Sequence, residues 1–187
     1  KLPSAYPSRR AWLQLTVEDT NGRTVFSSGA LRSDGSIVGN DNDADASRYE
    51  PHYDVIQSAD EVQIWEPILG DLDGAVTTGL LRATRYLKDN RLLPTGFDKA
   101  TAGEDIAVHG AAMDDPDFAA GADTVRYHVE ADADGPLRVS ASLWYQPIGF
   151  RWAHNLEAFD SAETARFAPM YDAMSEQSAI LLARDTA

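Results

Sequence analysis

The chain has 187 residues, of which 43% are hydrophobic and 25% are charged, a balance typical of an ordinary folded globular protein. Its formal net charge of −14 would repel a phosphate backbone, and we therefore expect no nucleic-acid partner. The chain contains no cysteine, which excludes disulfides, zinc–thiolate centres, iron–sulfur clusters and covalent haem attachment within it.

The first predicted element is a strand over residues 11–18, in which apolar and polar side chains alternate with the period of a half-buried strand. Asn21 and Gly22 then favour the positive φ angles of a tight turn, so residues 24–27 are predicted to return antiparallel. A polar stretch over residues 33–53 follows. We predict a long surface loop there, which either has a function or is held by another part of the protein.

The middle of the chain contains two further predicted strands, over residues 61–67 and 76–87, which are rich in apolar residues. Residues 88–123 contain several Pro, Gly and Asp residues without a clear period, which predicts an irregular connection. A short strand is expected within that connection, at residues 106–109.

The last third of the chain combines predicted strands with one helix. Residues 124–131 and 137–145 alternate, and the polar turn at residues 132–135 between them predicts a second antiparallel hairpin. Residues 161–175 have the spacing of an amphipathic helix whose first residue, a serine, is the N-cap. The run at residues 178–183 either extends this helix or forms a final buried strand, and we favour the strand.

Paired short strands, polar turns and a late helix predict a mostly β fold, an antiparallel β-sandwich with long loops and a C-terminal helix. We expect residues 1–187 to form a single domain that has been excised from a larger protein. Apolar runs in the sequence are too short to span a bilayer, so membrane insertion is not expected.

The densest acidic cluster is the run Asn-Asp-Asn-Asp-Ala-Asp at residues 40–45. Carboxylates at alternate positions allow a loop to wrap oxygen ligands around Ca²⁺, so Asp41, Asp43 and Asp45, with Glu50 nearby, are candidate calcium ligands. The run departs from an EF-hand loop because alanine replaces its turn glycine and histidine replaces its bidentate glutamate. The alternative is a solvated turn in which Asn and Asp side chains bind their own backbone.

Several basic and aromatic side chains are candidates for contact with a ligand or a docking partner. The arginines stand out against the acidic background and have the geometry to clamp a carboxylate, with internal salt bridges as the alternative. An enzyme would require carboxylates that converge near one of the histidines. Without a nucleophile elbow or a phosphate-binding loop, we assign no catalytic residue. The candidates for a ligand or docking role are Arg9, Arg10, His52, Arg151, Trp152 and His154.

Five segments carry a resemblance to a known family. They are KLPSAYPSRRAWL at residues 1–13, GNDNDAD at 39–45, QIWEPILGD at 63–71, RYLKDNRLLP at 85–94 and YQPIGFRW at 145–152. Together these segments resemble the part that follows the haem-bearing region in bacterial multihaem c-type cytochromes. The resemblance covers most of the chain.

This resemblance implies a periplasmic or otherwise extracytoplasmic parent protein, whose preceding region carries several haem c groups on Cys-x-x-Cys-His motifs. Because this chain lacks those motifs, the resemblance implies a non-catalytic accessory domain of an electron-transfer protein. Such a domain would pack on the haem-bearing region of the same parent protein or dock a redox partner. The alternative function is a Ca²⁺-stabilised β-sandwich module that binds a carbohydrate or a protein.

Overall fold

The protein is rich in β-strands, which confirms the mostly β prediction, whereas the layered sandwich arrangement stays a prediction. The computed structural model describes residues 1–133 and 135–187, so Asp134 of the predicted second turn lies outside the described residues. The described strands are β1 (Arg10–Glu18), β2 (Thr24–Ser28), β3 (Val55–Ile56), β4 (Ile64–Trp65), β5 (Pro67–Gly70), β6 (Val76–Thr77), β7 (Arg85–Asp89), β8 (Arg126–Tyr127), β9 (Arg138–Gln146) and β10 (Ile180–Thr186). The described helices are α1 (Asp41–Ala44), α2 (Phe150–His154) and α3 (Ala162–Met174), with 3₁₀ turns at Glu104–Ile106, Ala111–Met113, Asn155–Ala158 and Glu176–Ser178.

The largest sheet has the strand order β10-β9-β1-β2, and β4 also pairs with β1. Strands β1 and β9 are antiparallel in continuous register from Arg10 opposite Gln146 to Glu18 opposite Arg138. The predicted hairpin of β1 and β2 is confirmed, and Gly22 in its turn has a φ of 76°. Two smaller sheets have the orders β3-β8 and β6-β5-β7.

Strand β1 contributes to two hydrophobic clusters because successive side chains point to opposite faces of the sheet. Ala11 belongs to one cluster, which includes Trp65 and Phe118. Trp12 belongs to the other, which includes Ile37, and its indole Nε1 donates to the carbonyl of Gly29 at 2.9 Å. Successive side chains of β1 therefore belong to two separate hydrophobic clusters, one on each face of the sheet.

The second predicted hairpin is wrong. Strand β8 pairs in parallel with β3, with Val55 opposite Arg126 and Ile56 opposite Tyr127, while β9 pairs with β1 and β10. An alternating pattern shows that a segment has one buried face, but it does not identify the strand beside it. Here β1 provides nine paired positions for β9, far more than the two residues of β8.

Residues 33–53 are only partly the surface loop that their polarity predicts, because residues 44–48 are exposed but much of the rest is buried. Asn40, Asp43, Glu50 and His52 are buried, and the short helix α1 lies in this segment. The side chains of Asp43, Glu50 and His52 are paired inside the protein, which removes the main cost of burying them, whereas Nδ2 of Asn40 has no partner among the described residues. We call residues 33–53 the buried loop.

Three other predicted strands differ in their bounds, and the one predicted over residues 61–67 corresponds to β4 and the start of β5. The strand predicted over residues 76–87 is divided into β6 and β7, because a turn around Gly79 separates them. The strand predicted at residues 106–109 contributes an isolated antiparallel bridge between Asp89 and His109.

The C-terminal helix and the final strand form where the sequence predicts them. Ser161 caps α3 by accepting a hydrogen bond from the backbone N–H of Thr164 at 3.2 Å, and the final segment forms β10. In contrast to the buried strand that we predicted, every residue of β10 is exposed. None of the helices in the described part of the chain has the length and apolar character needed to cross a membrane.

Candidate functional site

The carboxylates of the acidic run point in different directions because α1 is helical. Alternate positions of an extended loop can converge on an ion, but side chains two residues apart on a helix do not face each other. Asp41 pairs with Arg48 at 2.5 Å. Asp45 accepts hydrogen bonds from the backbone N–H and the hydroxyl of Ser47, at 2.8 and 2.7 Å.

Glu50 is also engaged within the protein. Its carboxylate accepts hydrogen bonds from the backbone N–H groups of Asp41 and Val62, at 2.9 and 3.5 Å, and burial raises its pKa. Among the described residues, the groups of side chains spaced to hold a metal ion lie outside the acidic run. The calcium site therefore stays a prediction, and the observed pairing does not favour it.

Arg10 forms the centre of a buried ion pair. Its Nη1 donates to the two carboxylate oxygens of Asp43 at 2.8 and 3.0 Å, its Nε donates to Gln146 and its Nη2 donates to the carbonyl of Gly35. Although burial alone would lower the pKa of Arg10, the charge and hydrogen bonds of Asp43 raise it overall. Only 3% of Arg10 is exposed, so it is not presented to a docking partner.

Arg151 reinforces this ion pair from the outside. Its Nε donates to the carbonyl of Asn42 at 2.8 Å and its Nη2 to the carbonyl of Asp43 at 2.6 Å. These are carbonyls that a short helix leaves without partners of its own. We define the Arg10 network as Arg10, Asp43, Gln146 and Arg151; it holds the first half of the buried loop.

Arg9 and Trp152 remain partly exposed. Arg9 donates through Nη1 to the carbonyl of Ser4 at 2.9 Å, and the indole of Trp152 packs edge-to-face on Tyr6 at 6.2 Å between ring centroids. Both contacts hold the first residues of the chain in place. Arg151 and His154 of the predicted docking set are partly exposed as well.

His154 lies at the end of α2, where its Nδ1 is 3.0 Å from a carboxylate oxygen of Glu157. With Asp172, these residues form a group whose ligand atoms lie within 4.8 Å of one another. Both carboxylates are exposed, and exposed acidic residues near a histidine occur commonly without an ion. The ring of His154 also packs on Phe150 at 3.9 Å between centroids, which accounts for its position.

His52 lies in a second buried polar network. Its Nε2 is 3.1 Å from Asp115 Oδ2 and 3.9 Å from Asp123 Oδ1. Its Nδ1 faces the amide nitrogens of Gln63 and Asn90, at 2.8 and 3.1 Å. We define the His52 network as these five residues. The exposed side-chain fractions of the histidine and the two carboxylates are between 1 and 4%.

The backbone determines which ring nitrogen of His52 carries the proton. The amide oxygen of Gln63 accepts from the N–H of Tyr53, and that of Asn90 accepts from the N–H of Glu66, at 2.8 and 3.0 Å. Both NH₂ groups must therefore point at Nδ1 of His52, which can only accept. In the neutral ring the proton then lies on Nε2 and is donated to Asp115.

The two carboxylates of this network differ in their surroundings. Asp123 Oδ2 accepts hydrogen bonds from the indole of Trp65 at 2.6 Å and from Gln63 at 3.2 Å, whereas its buried Oδ1 has no hydrogen-bond partner among the described residues. Burial raises the pKa of Asp123. Burial would also raise the pKa of Asp115, but two backbone N–H groups and His52 lower it overall.

The His52 network has the spacing of a metal site, but the proton of His52 lies on Nε2, the nitrogen that faces the two carboxylates and would have to bind the metal. The ligand atoms of His52, Asp115 and Asp123 lie within 4.8 Å of one another. A metal on Nε2 would require the proton to move to Nδ1, where two NH₂ donors already point. The three residues therefore fit a closed hydrogen-bonded network better than a metal centre.

The sequence placed His52 among the candidates but did not identify Asp115 or Asp123 as its partners. These aspartates lie 63 and 71 positions further along the chain, within or beside the irregular connection, and no local pattern distinguishes them from the other acidic residues. An enzyme near His52 would need converging carboxylates, and the fold does bring them together. Their side chains are 4% and 1% exposed, and Asp123 also lines a surface cleft beside Trp65.

Two surface clefts flank the first seven residues of the chain. One, of 650 Å³, is lined by Lys1, Leu2, Trp65, Leu92, Pro94 and their neighbours. The other, of 730 Å³, is lined by Pro7, Leu80, Arg85, Tyr86, Glu104, His109 and their neighbours, and we call it the Tyr86 cleft. Both clefts are open to a partner, and Asp123 of the His52 network lines the first of them.

Comparison with known proteins identifies no relative. The chain matches no protein-family model, no curated protein and no solved structure.

Proposed function

We propose that this chain is a non-catalytic accessory domain of an exported multihaem c-type cytochrome, which packs on the haem-bearing region or docks a redox partner. The proposal starts from the five segments that resemble the part following the haem region in such cytochromes. What supports it in the structure is the way in which these segments meet.

The first of the five segments, residues 1–13, contacts each of the other four. The segments are far apart in sequence, yet hydrogen bonds or strand pairing join each of them to the first. The contacts are Arg10 with Asp43, Arg10 with Gln146, Ala11 with Trp65 and Leu2 with Leu92. A resemblance spread over separate segments therefore corresponds to one connected structural unit, and this observation carries the proposal.

The two buried networks also support an accessory role. Arg10 and His52 are the most heavily hydrogen-bonded of the predicted candidates, and both direct their polar atoms towards partners inside the protein. Groups held in this way stabilise a fold rather than act on a substrate. The surfaces that remain for function are the clefts and the exposed apolar residues, which suit docking.

The test is to express the chain together with its native upstream region in a host that matures c-type cytochromes. We expect a c-type Soret band, and a mass increase that corresponds to haem bound upstream of Lys1. A colourless product without added mass would contradict the proposal.

An accessory role is tested separately by ending the same protein before Lys1. Because this chain provides no cysteine for haem attachment, the shortened protein should carry the same number of haems. It should, however, transfer electrons more slowly to its partner or be cleaved faster by a protease. If the shortened and complete proteins behaved identically in both assays, the accessory role would be wrong.

A further inference from the structure

The sequence contains one aspartate–proline bond, between Asp115 and Pro116. An aspartate carboxylate can close a five-membered ring on its own carbonyl carbon, and such an internal attack requires no second molecule to be brought into place. Proline has no backbone N–H, so its nitrogen cannot make the competing attack on the aspartate side chain that other residues make. The internal reaction open to this pair is therefore cleavage of the bond between them.

The fold turns the carboxylate of Asp115 towards that bond. Its Oδ1 accepts hydrogen bonds from the backbone N–H groups of Asp117 and Phe118, at 2.9 and 3.3 Å, so the side chain lies forward along the chain, over its own carbonyl. Although burial would raise the pKa of Asp115, these N–H groups and His52 lower it overall, which keeps the carboxylate ionised near neutral pH. Among the described residues, Oδ2 has a hydrogen bond only with Nε2 of His52, so it retains lone pairs for an attack.

The carbonyl oxygen of the same bond faces a positive charge. The ammonium group of Lys99 donates to the carbonyl oxygen of Asp115, and also to that of Ala112 at 3.1 Å. No carboxylate pairs with this ammonium group in the described parts of the chain, so a salt bridge does not neutralise its charge. A cation held on a carbonyl oxygen stabilises the negative charge that develops there when the carbonyl carbon is attacked.

The proline side of the bond lies at the surface. Pro116 is exposed, whereas only 7% of Asp115 is exposed. Burial does not hinder the attack, because the carboxylate and the carbonyl belong to the same residue. Water reaches the proline side, where the nitrogen that leaves needs a proton.

We infer that the folded chain cleaves its own peptide bond between Asp115 and Pro116, with the Asp115 carboxylate as the nucleophile and the Lys99 ammonium group as the oxyanion stabiliser. A bond forms between Oδ2 of Asp115 and its carbonyl carbon, and the carbonyl electron pair moves onto the oxygen that faces Lys99. This intermediate then collapses, the bond from carbon to the Pro116 nitrogen breaks, and the nitrogen takes a proton from water. A second step, hydrolysis of the cyclic anhydride by water, leaves two carboxylates on Asp115.

The two pieces should stay together after cleavage. Strand β9 of the second piece pairs with β1 of the first at nine positions, and Arg10 of the first donates to Gln146 of the second. The new carboxylate of Asp115 forms opposite Lys99, which gives the product an ion pair that the uncut chain lacks. The reaction occurs once in each molecule, and it goes beyond the proposed accessory function without depending on it.

Mass spectrometry tests the inference on the purified chain, incubated near neutral pH and sampled over time. Under denaturing conditions we expect fragments of residues 1–115 and 116–187, whose masses add up to that of the chain plus one water. Native spectra of the same samples should show a single associated particle. The folded chain should be cut about a hundredfold faster than the chain in guanidinium chloride, because only the fold holds Lys99 on the carbonyl. Equal rates, absence of these fragments, or cuts at other bonds would overturn the inference.

Substitution of Lys99 separates its charge from its packing. Lys99→Met keeps an unbranched apolar side chain but removes the ammonium group, and should slow cleavage about a hundredfold. Lys99→Arg keeps the positive charge and should restore most of the rate. Circular dichroism identifies the variants that remain folded. Cleavage of folded Lys99→Met at the rate of the unsubstituted chain would show that the ammonium group has no part in the reaction.

Two further variants test the bond itself. Pro116→Ala keeps the carboxylate and Lys99 but replaces the leaving nitrogen, so the two fragments should be absent. Ala168→Asp creates a second aspartate–proline bond before Pro169 in α3, a helix that contains no lysine. This second bond should stay intact while the first is cut. Cleavage of both bonds at one rate would show ordinary chemical lability instead of a reaction promoted by the fold.

Discussion

The two buried polar networks hold opposite halves of the buried loop, and they differ in how completely their groups are paired. In the Arg10 network, a permanent charge meets both oxygens of Asp43, and further donors and acceptors complete the set. In the His52 network the groups are titratable, and Asp123 keeps one buried oxygen without a partner among the described residues. Equal burial therefore does not imply equal tolerance of substitution. We expect the fold to need every member of the Arg10 network, but not the negative charge of Asp123 in the His52 network.

The largest effect should come from Asp43→Ala. This substitution leaves the guanidinium of Arg10 buried without its counter-charge, and loss of one partner of a buried ion pair costs about 3–5 kcal/mol. Urea denaturation followed by circular dichroism measures this loss. Asp45→Ala is the matched control, because Asp45 is exposed and its side chain accepts hydrogen bonds, among the described residues, only from Ser47. Its effect should stay within about 0.5 kcal/mol. Similar losses for the two variants would mean that the Arg10 network does not hold the loop.

The same amide substitution should have opposite effects at the two carboxylates of the His52 network. Asp115→Asn places an NH₂ group against the Nε2–H of His52 and should destabilise the protein by about 1–3 kcal/mol at pH 7. Asp123→Asn removes a desolvated charge and keeps an acceptor for Trp65, so it should be neutral or stabilising by about 1 kcal/mol. Thermal unfolding of the two variants compares them directly. A larger loss for Asp123→Asn would reverse our assignment of the paired and unpaired carboxylates.

The pH dependence of stability should also distinguish the two networks, with a smaller effect than the substitutions above. Burial lowers the pKa of His52 below its ordinary value of 6.5, although the neighbouring aspartates oppose this shift. The unfolded chain therefore binds the proton first, and the contribution of His52 to stability is present above about pH 6.5 and is lost as the pH falls below it, by about 1 kcal/mol per pH unit. Denaturation between pH 7.5 and 5.0 measures the slope. His52→Gln should flatten it, and His128→Gln, at an exposed histidine, should not.

As the pH falls, the raised pKa of Asp123 affects stability in the opposite direction to the lowered pKa of His52. The folded protein retains the proton of Asp123 above the ordinary value of 3.8, so this group favours the folded state as the pH falls through the raised pKa. Asp123→Asn should therefore steepen the acid loss that His52 causes. If it flattened the curve instead, the direction assigned to Asp123 would be wrong.

The smallest effect should be that of calcium. Because Asp41, Asp43 and Asp45 already have partners within the protein, millimolar Ca²⁺ should change the free energy of unfolding by less than about 0.5 kcal/mol. Comparison of thermal unfolding in Ca²⁺ and in a chelator measures this. An ion present at 100 times its dissociation constant would add about 2.7 kcal/mol, and an increase of that size would restore the calcium-stabilised alternative.

Part of the candidate site followed from residue type alone. Arg10 was a candidate because a guanidinium can clamp a carboxylate, and His52 because a catalytic site would need carboxylates near a histidine; both lie in buried networks. The acidic run was also noticeable, but its predicted chemistry assumed an extended loop, whereas α1 turns Asp41 and Asp43 away from each other. A residue's type indicates what it is able to bind, and its neighbours in space decide what it does bind.

The sequence by itself determined the elements that depend on contacts between near neighbours. These are the hairpin of β1 and β2, where alternation and an Asn–Gly turn act within a few residues, and the start of α3, where Ser161 meets the N–H of Thr164. The same short-range signals identified β9 as a strand.

Only the tertiary structure decided which elements meet. The choice of β1 rather than β8 as the partner of β9, the burial of Asp43 and Glu50, and the meeting of His52 with Asp115 and Asp123 all join parts that are distant in the chain. Such contacts depend on the summed packing and hydrogen bonding of many residues. A periodic pattern records which face of a segment is buried, but the partner that buries it is selected by the whole fold.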